Sequence, residues 1–147
     1  MILIHPFSRK LTSGKENPKN FPYWPELLKM IDEPVVQVGV EGEQQLVDDF
    51  RKNLSFPELR ALIQGCRTWI AVDSFFQHLC WDEGKPGVVI WSVSDPLIFG
   101  HPENVNLLKD RHFLAFNQFL WWESVEFNAN SFVKPEDILP YIQPKNL

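Results

Sequence analysis

No run in this chain approaches the roughly 18 consecutive apolar residues that a membrane-spanning helix needs, and no charged leader precedes an apolar signal core at the N-terminus. A protein without a membrane span is expected. Basic residues are few, 14 against 19 acidic ones for a net charge of −5, and they form no cluster. That excludes a nucleic-acid surface, which needs a basic stripe to meet the phosphates. Cysteine is scarce too: Cys66 and Cys80 have neither metal-ligand nor redox-motif spacing, and each lies in an apolar stretch. They read as buried free thiols in a reducing, cytoplasmic setting. His5, His101 and His112 lack metal-like spacing, so no metal is expected. There is no nucleophile elbow, no third glycine to make Gly39-Val40-Glu41-Gly42-Glu43 a dinucleotide fingerprint, and no internal repeat.

What is present suits one globular domain spanning residues 1–147. The 147 residues are 44% hydrophobic, ample for a core. The prolines fall mainly between apolar runs, as punctuation rather than a disordered tract. Four such runs, Met1–His5, Val35–Val40, Trp69–Val72 and Val88–Trp91, read as buried strands. Helical spacing lies between them: Tyr23–Ile31, a short Gln44–Arg51 segment, a helix opened by the capping box Ser55-Phe56-Pro57-Glu58, and Ser74–Glu83. Residues 104–108 suggest a last strand, and Pro135 starts a short C-terminal helix. Phe113, Phe116, Phe119, Leu120, Trp121 and Trp122 are expected to cover the sheet. Strands alternating with helices define an α/β, Rossmann-like, three-layer domain with a mostly parallel sheet.

The stretch richest in chemistry is Trp69-Ile70-Ala71-Val72-Asp73-Ser74, where a strand passes directly into a helix. A helix N-terminus offers free N–H groups and the positive end of a dipole, so it can hold an anion. Asp73 would stand at the carboxyl end of a central strand, where open α/β sheets bind ligands; the plainer reading makes Asp73-Ser74 a structural capping pair. The loop between residues 7 and 22 carries Arg9, Lys10, Lys15 and Lys19 and is long enough to suggest function, although its cations could simply be solvated.

In order and spacing these motifs resemble the C-terminal, donor-binding half of the lipopolysaccharide heptosyltransferases, two-domain glycosyltransferases of the GT-B architecture. Residues 1 to about 100 carry the resemblance, leaving 101–147 as an aromatic extension. Ile4-His5-Pro6-Phe7-Ser8-Arg9 is similar to the family's phosphate-contacting strand end, Trp24-Pro25-Glu26 to its next helix, and Asp73-Ser74 with His78 to its central signature. The resemblance implies that Glu43 binds the donor ribose, that Leu54 lies against the adenine, and that Ser8, Ser74, His78 and a loop cation such as Arg9 or Lys19 hold the diphosphate. Without it, Glu43 is equally a solvated first-turn carboxylate and His78 a core histidine; Trp121-Trp122, outside the resemblance, reads as core or interface packing rather than a sugar platform. Two positions depart from the family: Phe75 stands where glycine usually follows the Asp-Ser pair, and Pro22 replaces a lysine.

The expected function is binding of a nucleotide-diphosphate sugar, as the donor half of a glycosyltransferase whose acceptor site and base come from a partner protein or a second copy. No catalytic residue and no resident cofactor is assigned. The alternative is a non-catalytic nucleotide or phosphate binding module that docks a partner protein.

Overall fold

A computed structural model describes residues 1–144, so the last three residues of the 101–147 extension lie outside the described residues. Six strands form one sheet: β1 (Ile2–His5), β2 (Val35–Gly39), β3 (Asp49–Lys52), β4 (Thr68–Val72), β5 (Val88–Ile90) and β6 (Val105–Leu107). Their spatial order is β3-β2-β1-β4-β5-β6 and every pair is parallel. This is the doubly wound, Rossmann-like arrangement expected of alternating strands and helices. The helices are α1 (Trp24–Lys29), α2 (Phe56–Gly65), α3 (Phe75–Asp82), α4 (Pro96–Phe99) and α5 (Pro135–Ile138).

Strand periodicity divides the core between two faces. Leu3, Val36, Trp69, Ala71, Val89 and Trp91 point to one side, against Leu59 and Ile63 of α2 and Phe76 and Cys80 of α3. Ile2, Ile4, Ile70, Val72, Val88 and Ile90 point to the other, against Trp24 and Leu27 of α1 and Phe132, Ile138 and Ile142 of the C-terminal segment. Both faces of the sheet are covered, so its strands read as continuous apolar runs rather than alternating ones. Cys66 and Cys80 are free and buried, and desolvation raises the pKa of both. Ser55 and Glu58 close the expected capping box on α2. No helix among the described residues is long and apolar enough to cross a membrane.

Two expectations fail. The segment read as a helix over 44–51 is a turn leading into edge strand β3. The cause is Gln37, wholly buried on β2: its Nε2 donates to the Gln44 carbonyl at 2.8 Å, and its Oε1 accepts from the Leu46 N–H at 2.7 Å. These bonds hold the backbone that a helix would need for its own first turn. The aromatic run from Phe113 to Trp122 does not cover the sheet either. Phe116, Phe119 and Trp121 are exposed, and Phe132 and Ile138 fill the place assigned to that run.

Trp69 is fully buried and its Nε1 donates to the Lys85 carbonyl at 2.9 Å. A Cβ on Gly87 would overlap its indole ring, and crowding in a packed core costs about 1–3 kcal/mol. Gly87→Ala is therefore expected to lower unfolding stability by about 2 kcal/mol in a urea titration, and an unchanged midpoint would contradict this packing.

Candidate functional site

In this strand order the chain leaves β1 toward one side of the sheet and β4 toward the other, so the loops at their carboxyl ends diverge and leave a crevice. His5 ends β1 and Asp73-Ser74 follow β4. Around them opens a cleft of about 780 Å³, within the size range of small-molecule sites.

Asp73 is buried and anchors one wall. Its Oδ1 accepts from Gln77 Nε2 at 2.7 Å, and its Oδ2 from Ser94 Oγ at 2.7 Å. The Lys19 ammonium stands 3.1 Å from the same Oδ2, and the Asp73 carbonyl accepts from Ser8 Oγ at 2.5 Å. One residue thus ties the 7–22 loop, α3 and the end of β5 together. Ser74 caps α3, accepting from the Phe76 N–H at 3.4 Å, and its hydroxyl lies 3.2 Å from His5 Nδ1. His5 stacks on Phe76, with ring centroids 5.0 Å apart. Burial lowers its pKa to about 4, so it is neutral at pH 7.

The loop is rigid because asparagines hold its backbone. Asn20 Oδ1 accepts from the Ser8 N–H at 2.8 Å, Asn17 Nδ2 donates to the Arg9 carbonyl at 2.8 Å, and the Pro18 carbonyl accepts from Ser92 Oγ at 2.8 Å. Arg9 and Lys10, at the start of this loop, project on the cleft side and form no ion pair among the described residues. Across the cleft, Glu43 is half-buried. Its Oε1 accepts from the Val40 N–H at 2.5 Å, and burial raises its pKa against the opposing pull of that N–H and of Lys10.

Of the eight residues expected to bind ligand, Ser8, Arg9, Lys19, Glu43, Asp73 and Ser74 line this one cleft. Leu54 and His78 do not. Leu54 packs against the α2/α3 side of the core. His78 lies on the exposed side of α3, its Nδ1 2.7 Å from His101 Nε2, because the helix buries Phe76, Gln77, Leu79 and Cys80 and so turns residue 78 outward. The buried polar partner of Asp73 is Gln77, whose side chain in the first turn of α3 reaches back to the residue preceding the Ser74 cap.

A third wall was not foreseen. Leu120, Trp121 and Trp122 cross the cleft mouth, and Trp122 lies under the Lys19 ammonium, 4.4 Å from the ring centroid. Glu123 accepts from the Thr12 N–H at 2.6 Å and from the Thr12 hydroxyl, which holds its carboxyl below the usual range. Lys15 Nζ reaches Glu126 at 3.4 Å. The only signal in the sequence was the Trp-Trp pair itself, which has no partner until the loop is folded beside it. Among the described residues, no group of three or more His, Cys, Asp or Glu side chains is placed to hold a metal ion.

Fold and cleft define a doubly wound α/β protein with a crevice at its switch point. No family model, curated protein or solved structure matches the chain.

Two outcomes follow from this geometry. Asp73→Asn removes the charge that Lys19 faces; unpairing one partner of a buried ion pair costs about 3–5 kcal/mol, so a loss of at least about 2 kcal/mol in denaturant unfolding is expected. A purely ligand-facing carboxylate would leave stability unchanged. For His5, the unfolded imidazole takes up a proton as pH falls through 6.5, whereas the folded one resists until about 4. Stability is thus intact above pH 6.5 and declines across that window by about 3 kcal/mol. A His5→Asn variant should show a correspondingly flatter profile, and parallel profiles would rule His5 out as the cause.

Proposed function

We propose that this chain binds a nucleotide-diphosphate sugar in the switch-point cleft, as the donor-binding half of a heptosyltransferase-like glycosyltransferase whose acceptor site is supplied by a partner protein or a second copy. The observation that carries this reading is the meeting, in one crevice, of the α3 N-terminus with Arg9 and Lys10, two cations that make no direct ion pair among the described residues and face Glu123 and Glu43 only at longer range. The first-turn N–H groups of α3 have no carbonyl partner within the helix. Donors of this kind suit a diphosphate leaving group, because sugar transfer needs its developing charge stabilised in place without covalent help.

The carboxylates favour a second reading, binding without transfer. Asp73 is committed to Lys19, Gln77 and Ser94, Glu43 to the Val40 N–H, and Glu123 to Thr12. All three lining carboxylates serve the fold, leaving none free to act as base within this cleft. Chemistry therefore depends on a base from the completing partner, and a non-catalytic nucleotide module needs none. Either reading fits the cytoplasm, where Cys66 and Cys80 would stay reduced.

Thermal shift and calorimetry with nucleoside diphosphates and their sugar derivatives test the reading. Wild type is expected to be stabilised by nucleoside diphosphates at millimolar concentration or below. The exposed pair Arg9→Ala/Lys10→Ala should weaken binding at least about tenfold, since a charge-assisted hydrogen bond contributes about 1.5–3 kcal/mol. No shift with any diphosphate would refute the cleft as a donor site. Binding without hydrolysis or transfer of any sugar nucleotide, even with candidate partners added, would favour the module.

A further inference from the structure

Trp121 is 78% exposed on the wall of a cleft that also holds Arg9 and Lys10. It does not sit on a loose tail, because the segment is fastened on both sides of it. Upstream, Arg111 makes a two-pronged contact with Asp95 at 3.1 and 2.7 Å, the Ala115 N–H donates to the Val93 carbonyl at 2.9 Å, and Gln118 bonds Val93, Ala115 and the Asp95 N–H. Downstream, Trp122 lies against Lys19 and Glu123 against Thr12. An indole left largely bare between two such anchors is a rigid, preformed apolar surface, and rigidity spares a ligand the entropy of ordering it.

The same cleft carries a second bare ring. Phe75, 52% exposed, projects from the start of α3 and is held edge-on by His5 and by Phe56. A diphosphate alone has no use for aromatic walls. Two cations beside two exposed rings suit a ligand with a phosphate end and a planar apolar end. Leu54, which the resemblance placed against the base, is half-buried against the core and does not line this cleft.

We infer that Trp121 is the stacking platform for the nucleobase of a nucleoside diphosphate whose phosphates meet Arg9 and Lys10. The inference rests on the proposed nucleotide reading of the cleft and adds the residue that distinguishes a nucleotide from bare diphosphate. Stacking on an aromatic side chain contributes about 1–3 kcal/mol per base, which corresponds to roughly five- to 150-fold in affinity.

The test is calorimetric titration of the full chain with ADP, GDP, UDP and CDP, and with inorganic pyrophosphate. Wild type should bind at least one nucleotide about tenfold more tightly than pyrophosphate. Trp121→Ala should abolish that advantage and leave pyrophosphate affinity unchanged, while Trp121→Phe should keep most of it. The exposure of Trp121 makes both variants fit to fold, which a thermal melt confirms. If pyrophosphate and nucleotides bind wild type equally, or if Trp121→Ala weakens both ligands alike or neither, Trp121 is no base platform and the anion site stands without it. If neither ligand binds wild type, the nucleotide reading falls and takes this inference with it.

Discussion

The crevice depends on one buried charge. Asp73 sits at the end of a central strand with almost no access to water, a position that is costly for a carboxylate unless a cation and several donors compensate it. Lys19, Gln77 and Ser94 are drawn from three parts of the chain to do so, and the Ser8 hydroxyl adds a bond to the Asp73 backbone carbonyl. Their convergence sets the spacing between the 7–22 loop, the start of α3 and the end of β5, the elements that frame the cleft floor. The residue that most resembles a ligand contact is thereby a structural keystone. Arg9 and Lys10 line the same cleft without a direct ion pair among the described residues, and the proposed recognition rests on them rather than on Asp73.

The proposed anion site is not at odds with the protein's net negative charge. Net charge describes the far field, whereas a cleft is governed by the groups within a Debye length of its walls. Here the carboxylates are tied to internal donors and two cations are left facing the opening. The hydrogen bonds that occupy Asp73, Glu43 and Glu123 also leave no lining carboxylate free as a base, which bears on whether the proposed site could act alone on an acceptor.

The aromatic segment shows a related economy. Buried indoles at Trp24, Trp69 and Trp91 fill the two core faces and send their N–H groups to partners on the chain: Trp24 to the Pro6 carbonyl, Trp69 to the Lys85 carbonyl and Trp91 to Asn106. Trp122 is half-covered by a lysine already engaged with Asp73, and Trp121 is left bare. A run of such residues suggests a core element when read by composition, because burying rings is the commonest way to stabilise them. In this fold α1, α5 and Phe132 occupy that face first, and the run is displaced to the crevice rim.

Much of this was legible from local patterns. Apolar runs marked β1, β2, β4 and β5, and residues 104–108 marked β6; the Ser55–Glu58 box marked α2, and Asp73-Ser74 marked the strand-to-helix turn opening on the site. These features arise within a few residues, through steric preference, capping and periodicity, so the sequence alone carries them. Other features were decided across long separations. Gln37 turned an apparent helix into a lead-in for β3 by bonding to backbone seven and nine residues away. Helical phase turned His78 out and Gln77 in. Lys19, Asp73 and Trp122 meet through crossovers that no local pattern encodes. The sequence determined which segments are strands and helices; the tertiary structure decided which side chains share a cleft, because contact there follows from the order in which parallel strands are laid beside one another.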